Sequence, residues 1–295
     1  MINNSFFSTE ILRWFRENGR DLPWRETRDP YAIWLSEIIL QQTRIAQGWE
    51  YWERFVQTYP KVEDLAAASE DDVLKLWQGL GYYSRARNLH AAAKQIVALG
   101  DFPNTLEGIK SLKGVGDYTA AAIGSFAFDI PAAVVDGNVY RVLSRYFGID
   151  TPINSTQGKK EFAALAQSLL PASDAASYNQ GMMDFGAIQC TPQSPKCLLC
   201  PLAETCEALR CGRVEELPVK NKTVKVKTRH LSYIYIRCKS SAADDAGNSE
   251  PMVAIHRRGE GDIWQGLWEP YNVSDIKELP SFVKNPILLA KDVKH

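Results

Sequence analysis

A mainly helical core followed by a small mixed α/β unit is the fold class that the 295-residue sequence predicts. Three observations predict it. Apolar runs with helical period, punctuated by helix-stop residues, recur from residue 6 to about residue 210. No alternating strand pattern interrupts them. Beyond residue 219 the composition shifts to a basic stretch and then to short runs of β-branched and aromatic residues.

The elements follow in order. FFSTEILRWF leads to Asn18-Gly19, a helix stop, and Asp29 then caps a helix whose first turn holds Pro30. That helix is read through YAIWLSEIILQQTRI. LHAAAKQIVAL stops before Gly100, YTAAAIGSFAF follows Asp117, VYRVLSRYFG closes on Gly148, and KKEFAALAQSLL halts at Pro171. Together they define a helical core over 1–218. Residues 219–229 hold Lys220, Lys222, Lys225, Lys227 and Arg229 with no acid between, the pattern of an exposed linker. HLSYIYIRCK and PMVAIHRR, separated by the turn-rich SSAADDAGNSE, read as strands of a second domain over 230–295. Fewer than 70 residues make a thin core, so this domain is expected to be incomplete.

Composition narrows the function classes. Hydrophobic residues make up 45% of the chain, enough for a proper core. No stretch reaches the roughly 20 apolar residues of a membrane span, and the amino terminus lacks a signal-peptide pattern. A cytoplasmic protein without a membrane partner is expected. Residues 1–219 carry 21 basic and 26 acidic side chains, against 13 and 9 in 220–295, so the two parts are net −5 and +4. Neither is a bulk polycation; a nucleic-acid partner would have to be held by local patches and backbone amides.

Four of the six cysteines, Cys190, Cys197, Cys200 and Cys206, fall in the spacing C-x6-C-x2-C-x5-C among bending prolines. Such crowding in an intracellular chain favours metal over disulfide. A [4Fe-4S] cluster and one tetrahedral zinc are both open; the single short knuckle, Cys197-x2-Cys200, favours the cluster. Lys196 and Arg210 lie near enough in sequence to meet phosphate.

LKGVGDYTA at 112–120 joins two helical segments, with Gly114 and Gly116 bracketing Val115. Such a turn can aim several amides at one anion at the start of the next helix. Alone it reads better as a plain turn. Glu37 stands inside AIWLSEIIL, beside Ile33 and Gln41 at helical spacing. Most helix glutamates face water, but a desolvated carboxyl holds a proton near neutrality and can donate it. Asp136 follows the apolar AAVV and precedes a helix, the place of an N-cap.

The hairpin resembles the helix-hairpin-helix, over 105–124, of the endonuclease III superfamily of DNA glycosylases. VVDGNVYR at 134–141 resembles the segment carrying that superfamily's catalytic aspartate, and the cysteine loop completes the order. Lys113 departs from the usual proline. LPWRETRDPYAIWLSEIILQQT at 22–43 and GLGYYSRARNL at 79–89 closely resemble the MutY-type, adenine-removing branch. The resemblance implies a six-helix barrel plus an iron-sulfur domain, with Cys190, Cys197, Cys200 and Cys206 holding a [4Fe-4S] cluster. It implies that Glu37 protonates adenine N7 and that Asp136 stabilises an oxocarbenium-like sugar. Tyr118 and Asn138 would orient Asp136 and the attacking water. Trp24, Arg25, Leu40 and Gln180 would line the pocket of a flipped adenine, although Trp24 could equally be core. Gln42 and Tyr82 would enter the base stack, Tyr82 having core packing as its plain alternative, with Thr43 also on the DNA. Lys113, Gly114, Val115 and Gly116 would grip a phosphate.

Tyr118 occupies the place of the lysine that forms a Schiff base in strand-cutting relatives, so release of the base by water with at most weak lyase activity is implied. The implied partner is double-stranded DNA with adenine opposite 8-oxoguanine or guanine, bound by a monomer, at the nucleoid if the source is bacterial. WQGLWEP at 264–270 resembles the MutT-like domain of this branch, without a Nudix signature or the Ser/Thr-His loop that contacts 8-oxoguanine. Poor discrimination of the damaged partner is therefore expected. Two other readings are an endonuclease III-like pyrimidine glycosylase and lyase, and a non-catalytic iron-sulfur DNA-binding protein.

Overall fold

The computed structural model describes residues 4–221, 230–238, 252–261, 264–273 and 287–290. The chain divides into two compact units, Met1–Thr223 and Val224–His295.

The first unit is helical throughout its described residues. Its helices are α1 Asn4–Asn18, α2 Pro30–Ile39, α3 Ile45–Thr58, α4 Val62–Ala67, α5 Glu70–Trp77, α6 Ser84–Leu99, α7 Leu106–Lys110, α8 Asp117–Phe128, α9 Gly137–Phe147, α10 Thr156–Leu169, α11 Ala175–Asp184 and α12 Glu207–Arg210. Asp29 caps α2 by accepting the Tyr31 amide at 3.0 Å, with Pro30 opening the helix as expected. Every residue of α2 from Tyr31 to Ile39 is buried, so this helix is a core element rather than an amphipathic one. It does not continue through Gln41 to Ile45. The chain breaks after Ile39 because Gln42 takes a left-handed conformation, φ 56°, and α3 starts afresh at Ile45. Elsewhere Gly100 at φ 87° and Gly148 at φ 69° end α6 and α9 where the sequence places stops.

Two apolar centres result. Phe7, Ile11, Leu143, Tyr146, Phe162 and Phe185 form one, among α1, α9, α10 and α11. Trp34, Leu35, Phe55, Leu65, Trp77 and Leu89 are buried on α2 to α6. Helix α8 packs against both α2 and α11. Among the described residues, no helix is long and apolar enough to cross a membrane.

Of the expected linker, residues 222–229 lie outside the described residues. The Val219 carbonyl accepts from Ile153 at 3.0 Å, and Asn221 exchanges bonds of 2.9 Å with the Asn154 amide side chain, so both stay with the first unit. In the second unit β1 Ser232–Ile234, β5 Trp268–Val273 and β4 Ile255–Arg257 form an antiparallel sheet in that order. β2 Arg237–Cys238 pairs with β3 Met252–Val253. The turn SSAADDAGNSE at 240–250 lies outside the described residues, and among those described here there is no helix.

Candidate active site

The site begins with Glu37, only 8% exposed within the apolar α2. Burial pushes its carboxyl up to about 7; the Tyr118 hydroxyl, donating to it from the first turn of α8, partly offsets this. The nearby Asp136 charge adds to the rise and Arg25 opposes it. A carboxyl titrating near neutrality beside a carboxylate is the electrostatic pattern of an acid and a stabiliser held apart in protonation.

Asp136 sits at the N-cap of α9, where its Oδ1 accepts the Asn138 and Val139 amides, both at 2.8 Å. Asn138 Nδ2 donates to its Oδ2 at 2.7 Å. Burial raises its pKa above the usual range, while the three N–H donors and the Arg141 charge pull it back. Three donors with no hydroxyl partner call for an acceptor, which is the ionised form. The cap and the charged group are thus the same carboxylate. Tyr118, expected on Asp136, bonds Glu37 instead, and Asn138 alone of the expected pair touches Asp136.

Behind Asn138 lies an arginine absent from the sequence reading. Arg141 donates to Asn138 Oδ1 at 2.9 Å, to the Gly186 carbonyl at 2.6 Å and to the Cys190 carbonyl at 2.8 Å. Gly186 permits this approach, since a Cβ there would come within 2.5 Å of Asn138 Cβ. The aspartate's partner is thereby tied to the first cysteine of the loop.

Trp24 and Arg25 share a short 3-10 turn, Pro23–Arg25. Trp24 is buried and meets Trp49 and Trp52 edge-on at 5.7 and 5.6 Å, so its ring is in an aromatic cluster. Arg25 forks onto the fully buried Asp184 at 2.8 and 2.9 Å, and Arg20 joins from the same side. Burial alone would raise the Asp184 carboxyl; the two guanidiniums overcome it and hold it below the ordinary range. Leu40 caps the end of α2 against Gly48, and Gln180 is half-buried on α11. Asp184 went unread, although an acid inside MMDFG signals a buried charge in need of a partner.

Gln42 and Tyr82 are exposed, both at positive φ, 56° and 47°. Tyr82 is 64% exposed and therefore not core. Thr43 donates to the Gln41 carbonyl at 3.3 Å. The hairpin runs from α7 to α8, with Gly114 at φ 78° and a Cβ there only 2.7 Å from Asn88, so glycine is required. Gly116 is extended and opens α8, Val115 is buried as the anchor, and Lys113 is exposed with its amide on Gln95 at 2.7 Å.

The four cysteines, all free and half-buried, surround one cavity with Arg145, Lys196 and Leu209. Among the described residues no His, Cys, Asp and Glu group converges as ligands of a single ion do. Thiols spread around a shared cavity suit a multi-iron cluster, which reaches each ligand through a different metal, better than one tetrahedral zinc. Burial pushes the Cys200 thiol up to about 11, with neighbouring thiols adding, and a bound cluster would hold it as the thiolate. Arg145 donates to Cys190 Sγ at 3.4 Å and to the Thr191 carbonyl at 2.7 Å. Arg210 is engaged by Glu207 at 2.9 Å.

Residues 35–171 match the HhH-GPD superfamily of base excision DNA repair proteins, and residues 190–206 match the iron-sulfur binding domain of endonuclease III. The cysteine loop is thus a [4Fe-4S] site. Adenine DNA glycosylase of Mus musculus is 42% identical over 96% of this chain and 56% of its own length. That of Buchnera aphidicola from Acyrthosiphon pisum is 39% identical over 89% of this chain and 73% of its own. The chain spans about half of the mouse relative and nearly three quarters of the bacterial one. Among solved structures, a thermostable thymine-DNA glycosylase aligns with TM-score 0.66 and 34% identity, over 70% of this chain and 97% of that one. A non-covalent endonuclease III–DNA complex shares the fold, with TM-score 0.61 and 22% identity over 72% and 99%. By these matches the chain belongs to the adenine DNA glycosylase family, within the HhH-GPD superfamily of base excision DNA repair proteins.

Proposed function

We propose that the first unit excises adenine mispaired with 8-oxoguanine or guanine in duplex DNA, as a monomer, by hydrolysing the N-glycosidic bond. The observation that carries this is the buried Glu37, titrating at about 7 beside Asp136. Protonated Glu37 donates to adenine N7, which makes the leaving base neutral. Asp136, held ionised by the Asn138 and Val139 amides, stabilises the positive sugar as the bond breaks. Asn138 favours the ionised form of Asp136, while the Tyr118 hydroxyl tempers the rise of the Glu37 pKa so that it titrates near neutrality. Arg25, Leu40, Trp24 and Gln180 border the space for the extruded base, and Gln42 and Tyr82 fill the gap it leaves. The hairpin from Lys113 to Gly116 takes one phosphate at the N-terminus of α8. Cys190, Cys197, Cys200 and Cys206 would hold the cluster, which would brace the loop that carries Lys196. The second unit resembles the MutT-like domain of this branch in the WQGLWEP segment, and its role would be to sense the opposing base.

The test is the identity of the free base. Purified chain is incubated with duplexes bearing A:8-oxoG, A:G and T:G pairs. Adenine should be released and thymine retained, because a pyrimidine has no N7 for Glu37 to protonate. Thymine release would favour the activity in the name of the 34%-identical structural neighbour, the thermostable thymine-DNA glycosylase. Similar rates on A:8-oxoG and A:G would support weak sensing of the damaged partner; a strong preference for 8-oxoguanine would count against it.

A further inference from the structure

Among the described residues, four non-glycine residues have positive φ: Gln42, Tyr82, Asp129 and Ser194. Asp129 is the C-cap of α8, an ordinary place for that conformation. Gln42 and Tyr82 sit instead at the tips of two loops, one between α2 and α3 and the other between α5 and α6. A left-handed tyrosine is a strained residue, and such conformations persist only where the surroundings hold them. One side chain reaches both loops. Arg85, in the first turn of α6, points NH1 at the carbonyls of Ile38 and Ile39, at 3.2 and 3.1 Å, and at that of Gln41. Its NH2 meets the carbonyls of Leu80 and Gly81, at 3.2 and 3.5 Å. Its guanidinium also lies 5.6 Å from the centroid of the Tyr82 ring, and its own amide donates to the Tyr82 carbonyl at 2.9 Å.

The chemistry suits guanidinium and no other side chain. The last carbonyls of α2 have no partner within the helix and carry its partial negative charge, which a cation satisfies. Five N–H groups in a fixed plane can serve two separate sets of carbonyls at once, whereas an ammonium is a single point. Each terminal nitrogen takes one loop. We propose that Arg85 is a positioning residue that locks Gln42 and Tyr82 together as a preformed pair, so that both enter the base stack in one step. This rests on the reading of Gln42 and Tyr82 as the residues that replace the extruded base.

A preformed wedge matters only when the adenine must be pulled from a stack. An adenine already unpaired needs no wedge but still needs Glu37 and Asp136. Single-turnover adenine release by the cluster-loaded full chain is therefore compared on an A:8-oxoG duplex and on the same adenine in an unpaired bulge. Arg85→Met and Tyr82→Ala should each slow the paired substrate by on the order of tenfold to a hundredfold, and the unpaired one by no more than roughly threefold. Arg85→Met should add little in the Tyr82→Ala background. Arg85→Lys, which keeps the cation without the planar fork, should behave like Arg85→Met and supplies the comparison where the latter folds poorly.

Equal losses on both substrates, no loss on either, or full additivity with Tyr82→Ala would overturn the proposal, as would failure of both Arg85 variants to fold. If Tyr82→Ala shows no difference between the two substrates, the wedge reading itself falls, and this is visible without any change at Arg85.

Discussion

Replacing Glu37 by glutamine separates catalysis from stability in a way that the burial of this carboxyl makes quantitative. Its pKa rises from 4.5 to about 7 on folding, so between those values the folded chain holds a proton that the unfolded chain has lost. The group's contribution is therefore fully present below pH 4.5 and is lost as pH rises to about 7. At 1.36 kcal/mol per pKa unit the loss is on the order of 3 kcal/mol. Glutamine is neutral at every pH, fits the same volume and still accepts the Tyr118 hydroxyl. Glu37→Gln should melt with the parent at pH 4.5 and above it at pH 8, by roughly 6–12 °C for a helical unit of this size. Adenine release should fall by about two to four orders of magnitude below about pH 7, where the parent carboxyl is protonated, and by less above it. Thermal melting across pH 4.5–8, alongside single-turnover adenine release, reads both quantities. A melting difference that is constant with pH would refute the argument, because it would mean that Glu37 titrates alike in the folded and unfolded chains.

In the parent protein the acid must be protonated, so base release should decline as pH climbs past about 7, tenfold per unit once the limb is fully developed. Tyr118→Phe removes the bond that lowers the Glu37 pKa, and this limb should move to higher pH; an unmoved limb in the rate profile would show the hydroxyl to be idle. Asp136→Asn keeps a good N-cap, so melting should change by no more than about 1 kcal/mol, while adenine release drops by about a hundredfold or more. Comparable losses in both would reduce Asp136 to a cap. Gly114→Ala forces a side chain into the left-handed region and against Asn88, so DNA affinity should weaken on every sequence alike, with release from saturated DNA little altered. Titration by fluorescence anisotropy at several salt concentrations measures this, and a change confined to the release rate would contradict it.

How much of this could be read from the sequence depends on how local each feature is. Asp29-Pro30, Gly100, Gly148 and the cap at Asp136 are set by neighbours within a few residues, and each performs the role its type suggests. The apolar run around Glu37 likewise announced a buried acid. The break after Ile39 did not show, because ILQQTRI has helical composition throughout, and the carbonyls freed around the left-handed Gln42 find their partner in Arg85, more than 40 residues away. The bond of Tyr118 to Glu37 did not show for a similar reason: its place in the hairpin helix is local, but its partner depends on how α8 packs against α2.

The arginines carry the same lesson further. Arg20, Arg25, Arg85, Arg141 and Arg145 each donate to groups distant in the chain, and three of them, Arg85, Arg141 and Arg145, serve mainly backbone carbonyls. A carbonyl has no residue identity, so no spacing or motif can reveal which arginine will meet it. Yet these contacts fix what the motifs only name. Arg25 keeps Asp184 ionised in the protein interior, and Arg141 joins Asn138 to the cysteine loop. The carboxyls of Glu37 and Asp136 were legible because chemistry restricts their type and surroundings. Their supports were not, because a guanidinium can satisfy almost any cluster of oxygens, and only the folded chain decides which cluster it meets.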